Sequence, residues 1–174
     1  MKNVFIIVLS LFIQGLNAQK IVKNEIDEFT KVRKVETSWE VMHRTMGCGC
    51  HAFFMFNKSN DVIYFNFKYA ERNTPLISEG NYFMLKLSND SIVKFFAKET
   101  AVPCRGCGTV GFMGSDMIGT SSYYFVNPAN YDLLKNNLIT KFRFKTMDGY
   151  IEYEMNEKKA KAFQESFKLI LTEK

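Results

Sequence analysis

The chain has no concentrated run of basic residues, although Lys and Arg outnumber Asp and Glu by 23 to 18. Basic and acidic residues are interleaved instead, whereas nucleic-acid binding requires a basic stripe. The chain also lacks a Gly-Lys-Ser/Thr phosphate loop and a Gly-x-Ser-x-Gly nucleophile elbow. These absences exclude a nucleic-acid partner and two widespread classes of enzyme.

Histidine is scarce, with only His43 and His51 in the chain. Both lie within a few residues of Cys48, so nucleophilic catalysis by a Cys–His pair would have to use one of them. We expect the neighbouring thiols to be oxidised, which removes the nucleophile. The sequence therefore indicates no catalytic residue, and we expect no enzymatic activity.

A long apolar run occurs only at the N-terminus. Residues 1–18 combine a positive charge at Lys2, an apolar run from Val4 to Ile13 and a small residue at Ala18, which is the layout of a cleavable secretion signal. The run is shorter than the roughly 20 residues that a membrane anchor needs. We therefore expect a signal peptide over 1–18. The remaining residues, 19–174, should form one domain without a transmembrane anchor, exported to the periplasm or the extracellular medium.

Between turn-like stretches, apolar and polar residues alternate, and this alternation predicts strands. A first hairpin is predicted where the segments AFFMF and VIYFNFKY flank the polar turn NKSND. A second hairpin is predicted around Asn89-Asp90, between NYFMLKL and SIVKFFA. The first hairpin is apolar on both faces, so we expect a helix or a second layer of sheet to cover each face. Earlier in the chain, RKVETSW predicts a strand with four residues on one side: Arg33, Val35, Thr37 and Trp39.

A third hairpin is predicted around Asp148-Gly149, because glycine accepts the positive φ angle of a two-residue loop. If those two residues form the loop, Lys145 faces Glu152, Arg143 faces Glu154 and Phe144 faces Tyr153. Each carboxylate then has a basic partner, which favours its charged form. The pattern predicts a solvated ion-pair face rather than a pair of catalytic carboxylates.

Two helices complete the predicted fold. A short helix begins at Asn127 and Pro128. A longer helix is capped by Asn156 and has an apolar stripe that should dock on a sheet. The stripe consists of Ala160, Phe163, Phe167, Ile170 and Leu171. We predict an α+β fold, with an antiparallel sheet of about seven or eight strands, the short helix and the amphipathic C-terminal helix. A barrel-like sheet is the alternative.

The sequence resembles small exported proteins of Gram-negative bacteria that have no assigned activity. Four features carry the resemblance: the leader, the stretch DEFTKVRKVETSWE, the paired aromatic strands and the closing LITKFRFKTMDGYIEYEMNEKKAKAF. The likeness is one of layout and is most specific between Asn127 and Phe163. It implies export and an α+β fold. It implies no catalytic or binding residue.

The chain has four cysteines: Cys48, Cys50, Cys104 and Cys107. In an exported domain, four cysteines predict two disulfides. A Cys48–Cys50 bridge would be strained, whereas cross-links between the two cysteine loops would close a long loop and stabilise the fold by about 4 kcal/mol. We therefore expect cross-links between the loops, with the partners left open.

Two other uses of these cysteines are open. The same four side chains, Cys48, Cys50, Cys104 and Cys107, could hold a zinc ion, because Cys-x-x-Cys is a standard half-site. The other is thiol redox chemistry that uses Cys48, Cys50, Cys104 and Cys107, although the glycines that follow Cys107 argue against the helix that a Cys-x-x-Cys redox motif begins.

The abundance of phenylalanine, 17 residues, suggests a further alternative, a carrier of an apolar ligand in a Phe-rich interior. The favoured hypothesis is an exported, non-enzymatic binding or interaction module, with disulfide-braced loops as part of its surface. Its partner would be an unknown protein or small-molecule ligand. We expect no cofactor.

Overall fold

The structure is a computed structural model that describes residues 19–45, 49–110 and 117–173. The predicted signal peptide, residues 1–18, lies outside these ranges. The described residues form two α-helices, α1 (Tyr131–Asn136) and α2 (Glu157–Thr172), and a 3₁₀ turn at Pro128–Asn130. They also form eleven strands: β1 (Ile21–Ile26), β2 (Arg33–Thr37), β3 (Glu40–Arg44), β4 (His51–Ser59), β5 (Val62–Ala70), β6 (Tyr82–Leu87), β7 (Ile92–Phe96), β8 (Cys104–Arg105), β9 (Ile118–Phe125), β10 (Ile139–Thr146) and β11 (Gly149–Glu154).

The strands form two antiparallel sheets. The large sheet has seven strands in the order β1-β2-β4-β5-β9-β8, with β3 also paired to β4, and the small sheet has the order β11-β10-β6-β7. The prediction of an α+β fold with an antiparallel sheet and two helices is confirmed. The barrel-like alternative is wrong, because each sheet has two open edges within the described residues.

Aromatic side chains fill the space between the sheets. Phe65 of the large sheet lies 4.9 Å from Phe83 of the small sheet, and Phe67 lies 5.0 Å from Phe144, measured between ring centroids. These separations are typical of packed aromatic pairs. The largest fully buried side chains are all aromatic: Tyr69, Tyr124, Phe54, Phe56, Phe65, Phe67, Phe83, Phe95, Phe142, Phe144, Phe163 and Phe167. The abundant phenylalanine therefore forms the core.

Both predicted helices are present, and their caps are those expected from the sequence. The Asn127 side chain accepts a hydrogen bond from the Ala129 N–H at 3.0 Å, and Asn156 accepts one from the Lys159 N–H at 3.0 Å. Helix α2 buries its apolar stripe against β2, β3 and β4. Neither helix of the described chain is long and apolar enough to cross a bilayer.

The first two predicted hairpins are confirmed. Strands β4 and β5 pair along their whole length around Asn60, which has a φ of 52°. Strands β6 and β7 pair around Asp90, which has a φ of 61°. Asn and Asp tolerate this left-handed conformation better than other side chains do, which is why these turns could be read from the sequence.

The third hairpin forms at the predicted place but with a register shifted by two residues. Its loop is Met147-Asp148, and Thr146 pairs with Gly149. Gly149 has a φ of 133°, so the demand for glycine arises at the first residue of the returning strand rather than within the loop. A shift of two keeps every side chain on its predicted face. The ion pairs change partners, because Arg143 now faces Glu152 and Lys141 faces Glu154.

Candidate functional site

The predicted pairing of the cysteines is wrong for the second loop. Cys104 and Cys107 form a disulfide with each other, and their Cα atoms are 5.4 Å apart. The turn that begins at β8 already brings these residues within bridging distance, so no cross-link to the first loop is needed. Cys50 is buried and forms no disulfide with a cysteine of the described residues, and Cys48 lies outside them.

The disulfide-bonded turn packs directly on the large sheet. A side chain at Gly108 would overlap the carbonyl oxygen of Tyr69, so only glycine allows this approach. The Lys68 ammonium donates a hydrogen bond to the carbonyl oxygen of Thr109 at 3.1 Å. We call residues 104–110 the braced loop, because a covalent bond closes it and the sheet supports it.

Cys50 belongs to a polar cluster between the two sheets. It is 3% exposed, and its sulfur lies 3.1 Å from the Tyr153 hydroxyl of β11. The Tyr153 hydroxyl lies 2.9 Å from the Tyr69 hydroxyl of β5, which donates a hydrogen bond to the Glu71 carboxylate. Four side chains from distant parts of the sequence thus form one connected network.

The hydrogen bonds of this network have one direction. A hydroxyl carries a single hydrogen, and Tyr69 donates its hydrogen to Glu71. Tyr153 must therefore donate to Tyr69, and the single hydrogen of the Cys50 thiol goes either to Tyr69, at 3.6 Å, or to Tyr153. In both cases the hydrogen bonds run from Cys50 toward the Glu71 carboxylate.

Burial sets the protonation states around the thiol. Burial is the main cause that raises the pKa of Tyr69 and of Tyr153, so both phenols remain protonated donors at neutral pH. Burial also lowers the pKa of His43, which stacks on Tyr153 with ring centroids 3.9 Å apart, and the pKa of His51. Among the residues that the structure describes, Nε2 of His43 and Nδ1 of His51 have no hydrogen-bond partner. The cluster is therefore a network of protonated phenols around the Cys50 thiol.

The zinc alternative has no support in the described ranges. No three side chains of His, Cys, Asp or Glu come together there as they would around a metal ion. Cys104 and Cys107 are bonded to each other, whereas zinc binds cysteine as the thiolate.

A different surface of the large sheet carries half-buried aromatic groups. Side chains alternate between the two sides of a strand, and in β4, β5 and β9 every second side chain points away from the core. With Trp39, these side chains form what we call the aromatic face: Trp39, Phe53, Met55, Asn57, Tyr64, Asn66, Lys68, Ser121, Tyr123 and Phe125. The helices pack on the opposite side, where Phe163 contacts Phe54 and Phe56. Within the described residues, neither a helix nor the small sheet covers the aromatic face, although Met55 on this face is buried and Lys68 contacts the braced loop.

Trp39 reaches this face because the strand that contains it is interrupted. Val35 and Thr37 of β2 share one side of the strand, as predicted, and both are buried in the core. Strand β2 ends at Thr37 and β3 begins at Glu40, so the alternation is broken and Trp39 lies on the other side of the sheet. There the Lys68 ammonium is 4.5 Å from the centroid of the Trp39 ring. The prediction that Trp39 shares a side with Val35 is therefore wrong.

A polar band crosses the aromatic face. The band consists of four side chains that lie diagonally across the three strands: Asn57, Asn66, Lys68 and Ser121. Within it, the Asn66 side-chain amide donates a hydrogen bond to Asn57 at 2.7 Å. Apolar and aromatic side chains lie on both sides of the band. On one side are Trp39, Phe53 and Met55, and on the other are Tyr64, Tyr123 and Phe125.

A cleft of about 310 Å³ adjoins the aromatic face between β7 and β9. Phe125 belongs to both surfaces, and the Lys98 ammonium lies 5.4 Å from the centroid of its ring. The cleft is lined by Glu79, Gly80, Lys94, Phe95, Phe96, Ala97, Lys98, Phe125, Asn127 and Asn130. Neither surface was predicted from the sequence, since both depend on strand pairings between distant segments. The one local signal was the apolar character of both faces of the first hairpin.

No protein-family model, curated protein or solved structure matches the chain. The function has to be argued from the geometry of these surfaces.

Proposed function

We propose that this protein is an exported, non-enzymatic binding module, and that it holds a polysaccharide on its aromatic face. The observation that carries the proposal is the arrangement of this face, in which a band of amide, ammonium and hydroxyl groups runs between two groups of rings. Rings pack against the C–H side of a sugar, and amides and hydroxyls bond to its hydroxyl groups. A surface that extends over three paired strands suits an extended chain of such units.

The order of polar and apolar groups favours a polysaccharide over a protein partner. Protein interfaces have an apolar centre that is depleted of charge and a polar rim. On the aromatic face the polar groups are central: Asn66 and Lys68 lie on β5, with strands paired on both sides. The rings lie outside them, which is the reverse of the usual protein interface.

The braced loop supports the same face. Its Thr109 carbonyl accepts the hydrogen bond from Lys68, and Gly108 lies directly on β5. The Cys104–Cys107 bond also favours export as part of the proposal, because disulfides persist in oxidising compartments. Sequencing of the N-terminus of the protein recovered from the periplasm or medium tests this part, and a chain that begins at Gln19 is the expected result.

Tryptophan fluorescence gives a direct test of binding, because Trp39 is the single tryptophan of the chain and lies on the aromatic face. We expect its emission to change when the protein is titrated with oligosaccharides from a panel of neutral and acidic glycans. Tyr123→Ala and Asn66→Ala should each weaken binding by about tenfold, since each removes one contact to the sugar.

Tyr150→Ala is the matched control, because Tyr150 is an exposed tyrosine on the small sheet, 59% accessible, and away from the aromatic face. It should bind with wild-type affinity. A Tyr123→Ala protein that folds and binds as well as the wild type would contradict the assignment of the face. A wild-type protein that binds no glycan of the panel would contradict the function.

A further inference from the structure

The cleft between β7 and β9 has an unusual charge arrangement. Lys94 and Lys98 both line it, and neither forms an ion pair with a carboxylate of the described residues. By contrast, Lys86 and Lys141 of the neighbouring strands pair with Asp90 and Glu154 at 2.9 and 3.1 Å. Glu79 is the single acidic residue of the lining, so the cleft has a net positive charge.

Aromatic rings hold these two ammonium groups at the cleft. The Lys94 ammonium lies 4.8 Å from the Tyr82 ring centroid and 5.2 Å from that of Phe96. The Lys98 ammonium lies 5.4 Å from the Phe125 ring centroid. Cation–π contacts of this kind orient an ammonium without neutralising it, so both groups remain able to bind an anion.

Neutral donors and apolar surface complete the lining. Asn127 uses its side-chain oxygen to accept from the Ala129 N–H, which leaves its NH₂ group as a donor. Asn130 adds a second amide. Phe96, which is 52% exposed, presents a ring beside these groups.

The floor of the cleft is fixed to the aromatic face. Ala97 forms a β-bridge with Tyr124, and the Lys98 N–H donates to the carbonyl oxygen of Tyr123 at 3.2 Å. These bonds connect the end of β7 to β9, which also carries Tyr123 and Phe125 of the aromatic face. The cleft and the aromatic face are therefore continuous through Phe125.

We infer that this cleft binds the carboxylate of an acidic sugar, which makes it a subsite of the polysaccharide surface proposed above, and the inference rests on that proposal. Two unpaired lysines supply the charge, the amides of Asn127 and Asn130 supply neutral donors, and Phe96 packs on the sugar ring. The volume of about 310 Å³ is at the lower end of the range of roughly 300–1,000 Å³ for small-ligand pockets. One sugar unit, rather than a long stretch of polymer, is the expected occupant.

The test compares each glycan as its carboxylate and as its methyl ester, which changes the charge and keeps the sugar ring. Oligogalacturonate, oligoglucuronate and oligomannuronate are titrated in both forms at low salt, with Trp39 fluorescence and calorimetry as readouts. For the glycan that binds, we expect the carboxylate to bind at least about tenfold tighter than the ester, as charge-assisted hydrogen bonds predict. The double variant Lys94→Met/Lys98→Met keeps the alkyl stems and should bind both forms equally.

Lys141→Met/Lys145→Met, on the small sheet away from the cleft, is the matched control and should keep the preference for the carboxylate. Equal binding of acid and ester by the wild type would overturn the cleft as a carboxylate subsite and leave the aromatic face in place. A folded Lys94→Met/Lys98→Met protein that keeps the full preference would overturn the subsite in the same way. Failure of all three glycans to bind in either form would overturn the carboxylate subsite, and it would overturn the proposed function as well if the neutral glycans of the panel also fail to bind.

Discussion

The thiol of Cys50 and the hydroxyl of Tyr153 lie 3.1 Å apart, although 103 residues separate them in the sequence. Cys50 immediately precedes β4 of the large sheet, and Tyr153 belongs to β11, an edge strand of the small sheet. The contact therefore joins the two layers through polar groups at the margin of an aromatic core. Buried networks of this kind depend on every member being satisfied.

Tyr153→Phe should destabilise the protein by about 1–2 kcal/mol, because Tyr69 loses the hydroxyl that donates to it and the Cys50 thiol loses the nearer of its two partners. Urea unfolding measures the change. Tyr150→Phe, on the same strand but exposed to solvent, is the control and should change the unfolding free energy by less than about 0.5 kcal/mol. Equal stabilities of the two variants would contradict a structural role for the network.

Digestion with trypsin should reveal the Cys104–Cys107 bond directly. Trypsin cleaves after Arg105, which lies between the two cysteines. The peptides on either side of this cut should stay joined in mass spectra until a reductant separates them. Recovery of either peptide joined to the one that contains Cys48 and Cys50 would instead establish a cross-link between the loops.

Gly108→Ala should destabilise the protein by about 1–3 kcal/mol, the usual cost of overpacking. The added methyl group would overlap the Tyr69 backbone, which cannot move without disturbing β5. The braced loop must lift from the sheet, and the Lys68–Thr109 hydrogen bond should be lost with it. Amide hydrogen exchange locates the change, and unaltered protection at residues 104–110 would show that Gly108 is not required for docking.

Stability should decrease as the pH falls below about 6.5. Burial and the nearby Lys159 lower the pKa of His43 from its ordinary value of 6.5. Between the two pKa values the unfolded chain therefore binds more protons than the folded one, and protonation favours unfolding. For this histidine the slope is at most about 1.4 kcal/mol per pH unit.

The substitution His43→Phe keeps a ring against Tyr153 and removes the titrating group. Between about pH 7.5 and 5.5 the variant should therefore lose less unfolding free energy than the wild type does. His51, whose pKa burial and Arg44 also lower, contributes the remaining decrease with the same sign. Urea unfolding at both pH values checks this, and parallel losses in the variant and the wild type would exclude His43 as a source.

Local signals in the sequence account for the elements that were predicted correctly. Turn residues such as Asn60 and Asp90 locate two hairpins, and Asn127 and Asn156 locate the helix starts, because each of these residues bonds to or bends its own backbone. The third hairpin is a boundary case. Asp-Gly marks the turn, but it does not decide whether glycine ends the loop or begins the strand.

The features that were not predicted depend on contacts between distant segments. Strand β8 has two residues and exists because Cys104 and Arg105 pair with Gly119 and Ile118. The division of the strands between two sheets and the Cys50–Tyr153 contact also depend on segments that are distant in the sequence. The position of Trp39 was missed for a local reason, since alternation predicts a side only while a strand continues without interruption.

The position of β1 at the end of the large sheet has a consequence for handling the protein at high concentration. An outermost strand is a template on which a second molecule can add its own strand. Here Lys23 and Glu25 place opposite charges along that margin, and the pairing with β2 shifts register between Ile21 and Lys23. A charged and irregular border of this kind disfavours fibril growth, so concentrated samples should resist assembly through this strand.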